Sequence, residues 1–174
     1  MEELVKTVIV GIAPARPGEE GQPLSAVSPQ STGRKIADMI GVGKYEYMKA
    51  FDRINLCPFA QESTIPVADW MPAASNLGAS LLRGRRVILL GVNVAQCFGI
   101  VPSPRDFLKW VDDPGERIPN YGSVGWNAGD RRPPFSWSIL PHPSGRNRWY
   151  NVSKNKEDAV AFLKQEWERM RGIL

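Results

Sequence analysis

Four short apolar runs, each closed by a glycine or a proline, divide this sequence and limit what it can fold into. Residues 5 to 12 read Val-Lys-Thr-Val-Ile-Val-Gly-Ile and lead into Pro14, Pro17 and Gly18. Residues 53 to 57 stop at Pro58, 85 to 91 finish Leu-Leu-Gly, and 135 to 140 stop at Pro141. Runs this short, rich in branched aliphatic residues, read as strands buried on both faces. Between them the spacing becomes helical. Thr32 to Met48 places Ile36, Met39 and Ile40 on one face before Gly41 and Gly43, and Tyr45 to Ala50 resumes the pattern. Ser75 to Arg83 and Val92 to Phe98 read as helices, and Lys156 to Met170 sets Ala159, Phe162, Leu163 and Trp167 opposite a charged face. From residue 101 to the last strand no clear period is present. Alternating strands and helices imply an α/β three-layer sandwich, with a central, mostly parallel four-stranded sheet and helices on both faces.

At 174 residues and 43% apolar, the composition fits one domain spanning 1 to 174. No apolar run approaches the ~18 to 20 residues of a bilayer span, and Met-Glu-Glu-Leu-Val-Lys lacks the basic start of a secretory signal. A cytoplasmic protein without membrane contact is therefore expected. Cys57 and Cys97 lie far apart with no CxxC, which excludes a four-thiolate site and suggests small buried hydrophobes. With one histidine and no carboxylate pair at ligand spacing, neither a metal nor another cofactor is expected. The net charge of +4 is compatible with phosphate binding but does not require it.

In open parallel sheets ligands bind beyond the carboxyl ends of the strands, and the unusual stretches fall there. The first strand enters Gly11-Ile12-Ala13-Pro14-Ala15, the second Asn55-Leu56-Cys57-Pro58, and the fourth Pro141-His142-Pro143-Ser144-Gly145-Arg146-Asn147-Arg148-Trp149. His142 is the only histidine and sits between two prolines. A lone histidine is more often a passive hydrogen-bonding residue, but rigid backbone on both sides and polar neighbours suit a donor aimed at developing charge. The Gly11 loop is neither a dinucleotide fingerprint nor a P-loop, although its small residues admit close backbone approach. Asn55 could be a turn residue or an amide that reads a heterocycle edge. Arg146, Arg148 and Trp149, with Arg131 and Arg132, combine cations with an aromatic ring as phosphate contact and base stacking require; a solvated basic loop with Trp149 in the core is the alternative. Arg83, Arg85 and Arg86 read first as surface charges.

Taken in order, Gly11-Ile-Ala-Pro-Ala, Gly33-Arg34, Ile54-Asn55-Leu56 with Pro58, Leu89-Leu90-Gly91 and His142-Pro143-Ser144-Gly145 resemble the uracil-DNA glycosylase superfamily over roughly residues 7 to 165. The resemblance implies a DNA partner, a nucleotide flipped from the duplex and hydrolysis of its N-glycosidic bond. It implies that Gly11, Ile12, Ala13, Pro14 and Ala15 line the base pocket, Ala13 marking where the water is held. Asn55 would read the base edge and His142 would donate to the departing base. Ser144 would meet phosphate, and Gly145, Arg146, Asn147, Arg148 and Trp149 would enter the groove. A base excisor needs no second copy, so a monomer is expected.

The first motif is similar to the family 5 branch, which reads Gly-Leu-Ala-Pro-Ala, yet the Asp which that branch places before its Ser-Gly is missing from Ser28-Pro29-Gln30-Ser31-Thr32-Gly33. Gln30 or Ser31 could hold a water without acting as a base. Glu19 and Glu20 are the nearest carboxylates in the sequence, with Asp52 a more remote one. Leu24 stands where the family usually stacks an aromatic ring, and the stretch to Gly33 is expanded, which points to a base bulkier than uracil. Hydroxymethylated or glucosylated pyrimidines of viral DNA, removed in antiviral defence, fit that expectation, with uracil as the conservative choice. A non-catalytic DNA or abasic-site binder is the competing class. A small-molecule α/β hydrolase lacks its GxSxG elbow.

Overall fold

The computed structural model describes residues 5–13, 22–58, 66–112, 135–144 and 147–172. Four strands, β1 (Val8–Gly11), β2 (Asp52–Asn55), β3 (Arg86–Leu90) and β4 (Ser136–Leu140), form one sheet in the order β2-β1-β3-β4. Every pairing is parallel, with Val8 opposite both Asp52 and Val87, and Arg86 opposite Ser136. The helices are α1 (Thr32–Ile40), α2 (Lys44–Ala50), α3 (Val67–Ser80), α4 (Val92–Cys97) and α5 (Ser153–Met170).

Strand alternation builds two cores. Val8, Val10, Val87, Leu89, Trp137 and Ile139 face one side, where Ala74 of α3 and Val94 and Ala95 of α4 cover them. Ile9, Ile88, Leu90 and Leu140 face the other, under Ile36 and Ala37 of α1, Tyr47 of α2, and Phe162, Leu163 and Trp167 of α5. Each side chain moved from water into these layers contributes about 1.5–3 kcal/mol, which is what the apolar runs supply. The three-layer α/β sandwich expected from the sequence is the architecture.

Two elements depart from expectation. The third helix starts at Val67, eight residues before the expected Ser75, and carries Pro72 inside it. A proline six positions into a helix breaks the pattern that sequence reading relies on, while burial of Ala74 and Gly78 holds the helix against the sheet. Within the aperiodic stretch after residue 101, Phe107 and Val111 protect the edge of the sheet. Phe107 bridges Ile139, and Val111 bridges Trp137, so β4 does not present a bare edge.

After β1 the chain passes over one face, through α1 and α2, to β2; it then crosses the other face through α3 to reach β3. The connections therefore diverge at β1, and the crevice between the carboxyl ends of β1 and β3 is the topological switch point where such sheets bind ligands.

Candidate functional site

Asn55 ends β2 and projects to the side covered by α1, as does Arg53 two residues earlier, which lies over the Tyr47 ring. Its amide lies across the end of β1: a Cβ added at Gly11 would fall 2.7 Å from Asn55 Oδ1. Only glycine at position 11 leaves that space. Leu24 closes the same spot from above, its Cδ2 3.0 Å from the same point. Both Asn55 Oδ1 and Nδ2 are buried without a hydrogen-bond partner among the described residues. A buried, unpaired amide costs about 1–3 kcal/mol; among the described residues Trp70, Arg85, Arg86, Trp137 and Ser138 also hold such atoms, but Asn55 is the one of these residues at the carboxyl end of a strand.

His142 follows β4 and leans inward over the end of β3, its Cβ 3.4 Å from where a Gly91 Cβ would stand. Gly91 itself has φ +90°, a conformation side chains disfavour, and it turns the chain directly from β3 into α4. The loop is fixed by three groups of bonds. Tyr150 Oη donates to the Pro141 carbonyl at 2.6 Å, Ser144 N and Asn147 Nδ2 donate to the His142 carbonyl at 2.8 and 3.0 Å, and Trp149 N donates to Asn147 Oδ1 at 3.1 Å. Burial of the flanking prolines completes the clamp. The imidazole Nε2 lies 3.4 Å from Thr32 Oγ1 on α1. Desolvation, and secondarily the Lys35 ammonium, push its pKa below the usual 6.5, so the ring is neutral at pH 7.

Asn55 and His142, carried by the two outer strands, thus lean over the ends of the two inner ones. Beside His142 the crevice continues as a cleft of about 350 Å³, walled by Ile12, Gly91, Asn93, Phe107, His142 and Trp149 among others. Trp149 packs edge-on against Phe107 and Tyr150, so its ring is a wall of this cleft. Arg148 is exposed beside it.

The structure brings Gly11, Ile12, Leu24, Asn55, His142 and Asn147 to one end of the sheet. Ala13 is half-buried just beyond β1, Ser144 half-buried beyond His142, and Gln30 stands on the exposed turn before α1. Ser31 is not a water holder. Its Oγ accepts from Arg34 N at 3.2 Å as the cap of α1 and lies 2.6 Å from the Ser25 carbonyl oxygen, so the hydroxyl is already engaged. Asp52 is at the amino end of β2, where it pairs with Arg85, a strand length from the site. Arg85 and Arg86 share that end and cannot serve the cleft. Pro14, Ala15, Glu19, Glu20, Arg131, Arg132, Gly145 and Arg146 lie outside the described residues.

Sequence reading missed Thr32, Asn93 and Phe107. A threonine at a helix start reads as a cap, which here is the role of Ser31, and Phe107 sits in the stretch without a period. Leu24 has φ +51°, and its carbonyl occupies the place a Gly33 side chain would need, only 1.9 Å from that Cβ position. Gly33 is therefore what lets the pocket wall rest on α1. Among the described residues, no cluster of His, Cys, Asp or Glu could hold a metal, and no helix is long and apolar enough to cross a membrane. Both cysteines are buried and unbridged, and burial raises the Cys97 thiol to about 11, outside nucleophile range. No protein-family model and no curated protein matches the chain.

Proposed function

We propose that this protein is a DNA N-glycosylase akin to the uracil-DNA glycosylases, excising a flipped pyrimidine and leaving an abasic site. The observation that carries the reading is an Asn55 amide, unpaired among the described residues, over the end of β1, with His142 on a bonded loop over the end of the neighbouring β3. An amide offers one donor and one acceptor face, the complement of a pyrimidine's imide or amidine edge. A neutral imidazole donates to a carbonyl oxygen that becomes anionic as the C1′–N bond breaks. Water then adds to the oxocarbenium-like C1′, and the base leaves as an anion that takes up a proton. The Ser144 to Arg148 loop would meet the DNA backbone and groove, with Trp149 behind it as a wall.

Leu24 in place of a stacking ring, together with the cleft of about 350 Å³ continuing past His142, favours a base larger than uracil, such as a hydroxymethylated or glucosylated pyrimidine of viral DNA. On that reading the protein is a cytoplasmic antiviral enzyme. The second reading, a DNA or abasic-site binder without turnover, is favoured by one fact: no carboxylate among the described residues lines the cleft. Incubation with DNAs carrying uracil, hypoxanthine, hydroxymethyl- and glucosyl-hydroxymethyl-pyrimidines, followed by mass spectrometry of released bases, separates these readings. Release of a modified base is expected; release of uracil alone removes the larger-base version, and binding without any release leaves the binder.

A further inference from the structure

The first turn of α1 meets His142 through Thr32, a contact that the clamp on the loop does not explain. Thr32 Oγ1, 3.4 Å from Nε2, is the one side-chain group within hydrogen-bond reach of an imidazole nitrogen among the described residues. Every other bond at His142 holds its backbone carbonyl: Ser144 N and Asn147 Nδ2 fix the chain and leave the ring free to turn. Lys35 lies three residues on, hence on the same face of the helix as Thr32, and is half-buried. It has no carboxylate partner among the described residues, whereas its neighbour Arg34 is paired with Asp38. The helix itself needs neither residue at its start, because Ser31 supplies the cap.

We propose that the face of α1 carrying Thr32 and Lys35 positions His142, Thr32 fixing the orientation of the imidazole and Lys35 placing a cation on the side from which the helix meets it, so that an aimed ring meets the ligand. The other elements around the ring add little charge. Gly91, Val92 and Asn93 after β3 carry none, and the last turn before α5 contributes only Arg148, which is exposed. Lys35, on the face of α1 that carries Thr32, is thus the cation whose charge bears on the ring, which is itself exposed. A hydroxyl is suited to its partner role because it can give or take the hydrogen bond, and it yields to an incoming carbonyl without leaving a buried charge behind.

His142 being the only histidine, its imidazole resonances can be followed by NMR in the intact protein without assignment ambiguity. In Lys35→Met the midpoint of the imidazole titration is expected to rise, and in Thr32→Val the ring resonances are expected to shift and broaden, while Thr32→Ser stays close to the parent. The kinetic arm rests on the glycosylase reading. There Thr32→Val is expected to lower kcat roughly 10-fold with KM little changed, and Thr32→Ser to recover most of that loss. A titration midpoint unmoved in folded Lys35→Met, together with Thr32→Val resonances like the parent's, overturns the proposal even if the protein excises bases. Conversely, the expected NMR changes with no base released from any DNA uphold the positioning roles and remove the glycosylase. If Thr32→Val does not fold, the Lys35→Met titration alone decides.

Discussion

The two ends of the sheet solve opposite problems with similar residues. At the amino ends, Glu166 of α5 is 2% exposed, yet its carboxylate receives Thr7 Oγ1, Arg169 Nε at 2.8 Å and Arg86 at 3.3 Å. Arg86 in turn lies 3.9 Å above the Trp110 ring, and Arg85 joins Asp52. The carboxylates there are answered by cations, although Arg85 Nε and Arg86 Nε are buried without a partner among the described residues. At the carboxyl ends the Asn55 amide is buried with no partner and Lys35 has no counter-charge among the described residues, and Leu24 and Gly91 hold positive φ. The amino end meets its buried carboxylate with cations, whereas the carboxyl end holds a neutral amide that a ligand could pair.

The largest contrast is expected from His142→Ala. If the glycosylase reading holds, base release falls by roughly 10² to 10³ while DNA affinity in a gel-shift assay stays nearly constant, because a donor to the developing anion acts mainly in the transition state. The mirror experiment is Glu166→Ala, which strands Arg169 and Arg86 beside Thr7. It is expected to lower unfolding free energy by about 3 kcal/mol in a urea melt, moderated by the partial exposure of both arginines, with residual activity per folded molecule retained. Parity of the two variants in either assay would erase the distinction between the ends.

Smaller effects sharpen it. Gly91→Ala places a methyl group 3.4 Å from His142 Cβ at a φ of +90°, and it should cost about 1–2 kcal/mol of stability together with turnover. Asn55→Leu should do the reverse, since it removes an unpaired buried amide. A gain of up to about 1 kcal/mol in thermal unfolding is expected, with loss of base release. Destabilisation by Asn55→Leu would mean that the amide has a structural role after all. The smallest effect concerns pH. His142 titrates lower folded than unfolded, so the unfolded chain binds more protons between the two values. Its contribution to stability is complete above about 6.5 and is lost as pH falls through the folded pKa, and activity that needs the neutral ring should persist below 6.5.

Much of this arrangement was legible beforehand. Each strand-ending glycine or proline marked a place where the chain leaves the sheet, and Asn55 and His142 were candidates as polar residues at strand ends, with a turn asparagine and a passive histidine as the commoner readings of each alone. Trp149 was ambiguous in sequence, and packing against Phe107 and Tyr150 resolved its ring as a wall. Ser31 and Asp52 were candidates only while their partners were unknown; the α1 cap and Arg85 claim them. Thr32 could not be found at all, since its partner lies 110 residues away.

The sequence by itself determined the layers, because a period of two or of 3.6 dictates which face of a segment must leave water. It also determined where backbone could approach closely, through Gly11, Gly33 and Gly91, although not what would approach. Only the tertiary structure decided that Asn55 overlies Gly11, that His142 overlies Gly91, and that β1 and β3 are neighbours. Strand order is set by how the whole set of helices covers two apolar faces at once, a collective packing problem that no local pattern encodes.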